Sequence, residues 1–201
     1  MRLFLADDAI ILWARLEAES GRRLPAPFWA SAWIGGQALA RYVLDHPDSV
    51  AGRSVLDVAS GSGLVAIAAA MAGARAVVAN DVDPYAIDAL AANAEANDVV
   101  VTPLLGDILD GDGDGAEVVL IGDALYDQTI ANRIVPFLNR VAARGARVLV
   151  GDPGRGHLPV DELEMVASYP LSVVGSPEDA LIERTSVFAV RSQVLANRGR
   201  G

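Results

Sequence analysis

Apolar positions change their period several times along the chain. Between residues 7 and 20 they recur at roughly helical spacing, Ile10, Leu12 and Leu16 among them, and stop at Gly21. Residues 24–27 form a proline-punctuated linker, and residues 36–44 predict a second helix ending before Pro47. From there strand and helix alternate. An apolar strand is predicted over 53–58, then a glycine loop and an alanine-rich helix to residue 72. A strand over 76–80 precedes a helix over 84–97 with proline in its first turn. Further strands are predicted over 99–102, 118–121 and 146–150, with a helix over 130–143 before the last. Such alternation implies an α/β fold, a mostly parallel sheet with helices on both faces. The end differs: 171–174 and 185–190 are strand-like runs joined through Gly175-Ser176-Pro177 with no helix between them, which predicts an antiparallel hairpin at the sheet edge. No repeat or boundary interrupts the pattern. The expectation is one domain over 1–201, with helices and a covering segment in 1–46 and the core in 53–191.

Composition narrows the function classes. The chain is 52% hydrophobic, too apolar for a disordered chain and long enough, at 201 residues, to bury a core. No apolar run reaches the ~18 residues of a membrane span. The opening MRLFLADDA turns acidic too early for a secretory or transit peptide, so a cytoplasmic location is expected. Absence of cysteine removes disulfides, thiolate zinc sites and a cysteine nucleophile. A net charge of −10 opposes binding to phosphate backbones, so nucleic acid is not expected as a partner. All 16 basic residues are arginine, which fits a GC-rich genome or an enzyme that acts on lysine and avoids modifying itself.

Chemistry concentrates at predicted strand ends. Asp57, Ala59, Ser60, Gly61, Ser62 and Gly63 leave the first strand and open a helix, where glycines allow close ligand approach and free amides favour acceptor groups. Asp81 closes the next strand, 20 residues after Gly61, where a carboxylate can accept ribose hydroxyls; Val82 follows it. The run from Gly61 to Ala66 also satisfies a dinucleotide pattern, but Asp57 would face the pyrophosphate of NAD. S-adenosyl-L-methionine has no phosphate, and a nearby carboxylate stabilises its ammonium and sulfonium. A helix-capping role with no ligand is the plain alternative for Asp57. Asp107 and Ile108, after the third strand, sit where adenine would be read, though Asp107 serves equally as a turn residue. The acidic loop 110–115 superficially resembles a calcium loop, but Ile121 stands at its twelfth position, so a solvated, flexible loop is expected and no metal is assigned.

The fourth strand ends in Gly122-Asp123-Ala124-Leu125-Tyr126-Asp127, beside the expected methyl group. Asp123 could orient an amine acceptor while Tyr126 walls its channel; a strand-ending aspartate and a core tyrosine are the plain alternative. Upstream, Trp29 and Trp33 sit beside Gly35-Gly36, which suggests a segment folded closely over the cofactor's methionine end.

Together PFWASAWIGGQALARYVLDHP, VLDVASGSGLVAIAAA, ANDVDP, GDALYD, VLVGDPGR and ERTSVF resemble the electron transfer flavoprotein β-subunit lysine methyltransferase family, which is similar to the ribosomal protein L11 methyltransferases. The resemblance runs from about residue 24 to 155. It implies a Rossmann-like class I methyltransferase with a seven-stranded sheet. It also implies cofactor contacts at Trp33, Gly61, Ser62, Gly63, Asp81, Ile108 and Gly122, and acceptor handling by Asp123 and Tyr126 of the D-x-x-Y motif. The implied partner is the electron transfer flavoprotein β-subunit. Ala59 stands where the family usually has glycine, which requires negative φ there, and Ile34 replaces a common proline or alanine. The expected activity is therefore protein-lysine N-methylation. The rivals are a small-molecule, nicotinamide-like N-methyltransferase, marked by a lidded rather than open cleft, and a non-catalytic cofactor-binding module.

Overall fold

The computed structural model describes residues 1–159, 163–170 and 184–191. Seven strands form one sheet in the order β3-β2-β1-β4-β5-β7-β6. They are β1 (Ser54–Val58), β2 (Ala76–Asp81), β3 (Thr102–Leu105), β4 (Val118–Gly122), β5 (Arg147–Asp152), β6 (Leu163–Pro170) and β7 (Arg184–Val190). Strands β1 to β5 pair in parallel, β7 runs antiparallel to β5, and β6 pairs antiparallel with β7. The helices are α1 (Ala9–Ser20), α2 (Ile34–Asp45), α3 (Leu64–Met71), α4 (Pro84–Ala96) and α5 (Gln128–Ala143).

Strand side chains alternate between two cores, as a pleat requires. Val118 and Leu120 of β4 join Leu39 and Val43 of α2, Ala66 and Ala69 of α3 and Leu90 of α4 on one face. Val119 and Ile121 join Ile134, Phe137 and Val141 of α5 on the other. Both faces of the sheet are thus covered, as the alternating pattern predicts. Three aspartates set helix starts by accepting N–H groups of the first turn: Asp8 for α1, Asp83 for α4 and Asp127 for α5.

Two strand assignments need correction. The third strand occupies Thr102–Leu105, not 99–102. Asp98 at φ 53° turns the chain out of α4, and the valines that follow only lead to the strand. Pro103 is tolerated because β3 is an edge strand. At the opposite edge, β6 spans Leu163–Pro170, a stretch not predicted as strand. Its apolar alternation is blurred by Glu164 and Ser168 and by a register shift between Met165 and Ala167. The predicted run 171–174 and its turn lie outside the described residues; the partner run 185–190 is present as β7. Among the described residues no helix is long and apolar enough to cross a membrane.

Candidate active site

Strand order reverses between β1 and β4, so their carboxyl ends splay apart and leave a crevice. A cleft of about 850 Å³ opens there. Most of the residues singled out from the sequence meet in it: Trp33, Ala59, Gly61, Asp81, Val82, Asp107, Ile108, Gly122, Asp123 and Tyr126 all line its wall. Asp57, Ser60 and Ser62 line an adjoining recess with Trp33, Ala59 and Gly61. Gly63 lies behind the wall, where a Cβ would fall 2.4 Å from Leu90 Cδ1, so glycine lets the loop pack on α4.

The loop after β1 is built from backbone bonds to β2. Ser60 N–H donates to the Asn80 carbonyl at 2.9 Å, and Gly61 N–H donates to Asp81 Oδ2 at 2.9 Å. Asp81 also accepts the Asp83 N–H at 3.0 Å. Burial pushes its carboxyl above the usual range, against the pull of these amides. The requirement of negative φ at Ala59 is not met: its φ is 55°, because the chain must turn sharply out of β1 into the loop. Ser60 Oγ is buried without a hydrogen-bond partner among the described residues.

Asp57 is 1% exposed and accepts the Ala66 N–H of α3 at 3.0 Å. It therefore caps that helix while also facing the recess, so both sequence readings have a structural counterpart. Burial pushes its carboxyl up to about 8, with the nearby Asp81 charge adding to the shift. The recess carries this one carboxyl group and no basic side chain.

A second group of contacts gathers around Asp123, which turns out of β4 at φ 60°. Its N–H donates to Gly151 O at 2.8 Å. Its carboxylate is held from two sides: Gly35 N–H donates to Oδ2 at 2.9 Å and Arg155 Nε to Oδ1 at 2.5 Å. Tyr126 is 46% exposed at the cleft mouth, its ring 5.3 Å from that of Phe28. Burial, then Asp127 and Asp81, push its phenol up, so it stays protonated.

The segment before α2 covers the cleft by packing onto it. Trp29 stacks on Tyr85 with ring centroids 6.2 Å apart, and the Trp33 indole N–H donates to Phe28 O at 2.7 Å. Gly35 and Gly36 do something different from what their place beside the tryptophans suggested. They let the start of α2 press on the strand ends, where a Cβ on Gly35 would lie 2.5 Å from Gly151 O and one on Gly122 2.7 Å from Gly36 Cα.

Three features escaped the sequence. Arg155 pairs with Asp123; it closes the VLVGDPGR run, but nothing in the sequence joined it to Asp123. Buried Asp152, at the end of β5, fixes that loop by accepting the N–H groups of Gly154 and Arg155. Arg133 takes up the Asp107 carboxylate at 2.5 Å, so that side chain is engaged by the protein itself. The acidic loop is exposed, with Asp110 near Arg133 of α5 and Asp112 paired with Arg144 just beyond that helix as surface ion pairs.

The family of ribosomal protein L11 methyltransferases (PrmA) matches residues 37–151, more than half of the chain. The human electron transfer flavoprotein β-subunit lysine methyltransferase is 44% identical over 168 residues, 81% of this chain and 64% of that protein. The homolog from Caenorhabditis elegans is 32% identical, covering 84% of this chain and 74% of the relative. The chain thus spans less than two thirds of the human relative. Among solved structures, a ribosomal protein L11 methylase from Lactobacillus delbrueckii subsp. bulgaricus superposes with a TM-score of 0.56 at 20% identity, over 78% of this chain and 79% of that one, a likeness of fold. The chain belongs to the family of the electron transfer flavoprotein β-subunit lysine methyltransferases, within the wider ribosomal protein L11 methyltransferase family.

Proposed function

We propose that this chain is the catalytic core of an S-adenosyl-L-methionine-dependent protein-lysine N-methyltransferase acting on the electron transfer flavoprotein β-subunit. The observation that carries this is the placement of Asp123 and Tyr126 in the same cleft as the glycine loop and Asp81, within a chain of this family.

The site's donors and acceptors fit the cofactor. Asp81 has the carboxylate for ribose hydroxyls, and the Ser60 hydroxyl has no protein partner among the described residues. Asp57 offers the recess a carboxyl group with no basic side chain beside it: an ammonium placed there draws it into its charged form, whereas a pyrophosphate would find no cation. Trp33, Val82 and Ile108 supply apolar walls, and the Asp107–Ile108 turn closes the far end. Bound there, the cofactor supplies an electrophilic methyl group on a sulfonium.

The chain's own residues then act on the acceptor. Asp123, held at the strand ends by its N–H bond to Gly151 O, orients the amine, and Tyr126 and Phe28 flank the amine's approach. The rings of Phe28 and Tyr126 are half-exposed at the rim of the cleft, where a side chain presented by a protein can reach them, and this favours a protein acceptor over a small molecule. A binding module without catalysis would have no use for both Asp123 and Tyr126 in the cleft. The test is incubation of the purified chain with methyl-labelled S-adenosyl-L-methionine, electron transfer flavoprotein and nicotinamide-like amines, followed by mass spectrometry. The expected result is label on a lysine of the β-subunit. Label on nicotinamide-like amines alone would support the small-molecule alternative instead.

A further inference from the structure

Arg155 has no role in the reading above, yet it makes the closest polar contact to the acceptor-handling carboxylate. The Asp123 side chain is 1% exposed and that of Arg155 18%, so the pair is largely withdrawn from water. Both Asp123 oxygens are already occupied, one by Gly35 N–H at the start of α2 and one by Arg155 Nε. The guanidinium carbon lies 5.8 Å from the centroid of Trp33, and Asp152 fixes the backbone of its loop through two amide bonds. A lysine that reaches Asp123 therefore meets a carboxylate balanced by a cation that does not give up its proton in the ordinary pH range. Where two cations contend for one carboxylate, the one that can titrate is pushed towards its neutral form.

Resting on the lysine methyltransferase reading, we propose that Arg155 is a positioning residue that also sets the protonation state of the acceptor. It holds Asp123 in place and, as a fixed positive charge beside it, favours the neutral amine of the incoming lysine over the ammonium. The proton passes to solvent through the open mouth, and the amine nitrogen retains the lone pair that attack requires.

Among the described residues, the other charged and titratable groups around the position leave this balance standing. Asp152 sits beside Asp123 at the end of β5, but burial pushes its carboxyl up and weakens the opposing charge it presents. Asp81, after β2, is turned onto the amides of Gly61 and Asp83. Asp127 caps α5, and the Tyr126 phenol stays protonated. The start of α2 adds the positive end of a helix on the Asp123 side.

The test is the pH dependence of kcat on electron transfer flavoprotein for the unaltered chain, Arg155→Gln and Arg155→Lys, with cofactor affinity measured by calorimetry on the same preparations. Arg155→Gln keeps a donor but loses the charge. Its acidic limb should move up by about one pH unit, and its high-pH plateau should fall about as far as that of Arg155→Lys, because both lose the fork that holds Asp123. Arg155→Lys keeps the charge and loses the fork, so kcat should fall at every pH with the limb unmoved. Cofactor affinity should hold in both. In an Asp123→Asn background, Arg155→Gln should lower the plateau no further, since no carboxylate is left to hold, while the limb should still move up, since the charge acts on the amine directly. An unmoved limb in Arg155→Gln, or a limb moved up in Arg155→Lys, overturns the inference; each variant is informative alone if the other does not fold. Absence of transfer by the unaltered chain overturns the lysine methyltransferase reading, and the inference with it.

Discussion

Ala59 and Asp123 are non-glycine residues at positive φ, 55° and 60°, just beyond the ends of the neighbouring strands β1 and β4. Left-handed backbone disfavours an L residue by about 1–2 kcal/mol, and such conformations persist where surrounding structure over-determines them. At Asp123 the two bonds to its carboxylate supply that restraint. At Ala59 the side chain is exposed and nothing in the structure rewards the methyl group. Ala59→Gly should therefore stabilise the chain by about 0.5–1 kcal/mol after the unfolded-state entropy of glycine is deducted. Thermal unfolding should show this as a rise of roughly 2 °C. Asp57 carries a second residue-scale consequence. Its folded-state pKa of about 8 lies above the ordinary carboxylate value near 3.9, so the folded state keeps a proton that the unfolded chain has released. The contribution of Asp57 to stability without cofactor is full below about pH 4 and is lost as pH rises towards 8, by up to ~1.4 kcal/mol per unit. Asp57→Asn keeps an acceptor for the Ala66 N–H and removes the titration, so the decline in melting temperature from pH 5 to 8 should become shallower. A residual slope is expected from Asp81 and Asp152, whose carboxyls are also raised by burial. An unchanged slope would remove Asp57 as its source.

At the scale of elements, the start of α2 serves two tasks at once. Its glycines allow backbone contact with β4 and β5, and its Gly35 N–H caps the Asp123 carboxylate. Gly35→Ala would place a methyl group 2.5 Å from Gly151 O and 2.9 Å from Asp123 Cβ, against backbone atoms that cannot rotate away. It should destabilise the chain by about 1–3 kcal/mol, as overpacking does. It should also lower kcat in the fraction that stays folded, by shifting Asp123; turnover per folded molecule equal to that of the unaltered chain would show that α2 does not position it. The same elements mark what the sequence could convey. Central strands such as β1 and β4 were legible because burial on both faces makes them continuously apolar. Edge strands β3 and β6 were not, since half-exposed residues, Pro103 and a bulge blur the period. Asp81 and Asp123 were legible from their places at strand ends. Arg155 was hidden because its partner is 32 residues away and the two meet only when β4 and β5 align.

The whole molecule places the proposed cofactor and acceptor groups on one rim of one sheet, with every strand from β1 to β5 pointing its carboxyl end the same way. That arrangement separates the two tasks in space. The loop after β1 and Asp81 after β2 lie on one side of the reversal in strand order, and Asp123 and Arg155 lie on the other. The central claim is that Asp123 acts on the acceptor and not on the cofactor or the fold. Asp123→Asn tests it most directly, with melting temperature, S-adenosyl-L-methionine affinity and turnover on electron transfer flavoprotein measured on one preparation. The expected result is near-constant cofactor affinity with turnover lower by ~10²-fold or more, the scale of losing a positioned polar group. A folded, fully active Asp123→Asn enzyme, or one whose activity falls only in step with its melting temperature, would contradict the account.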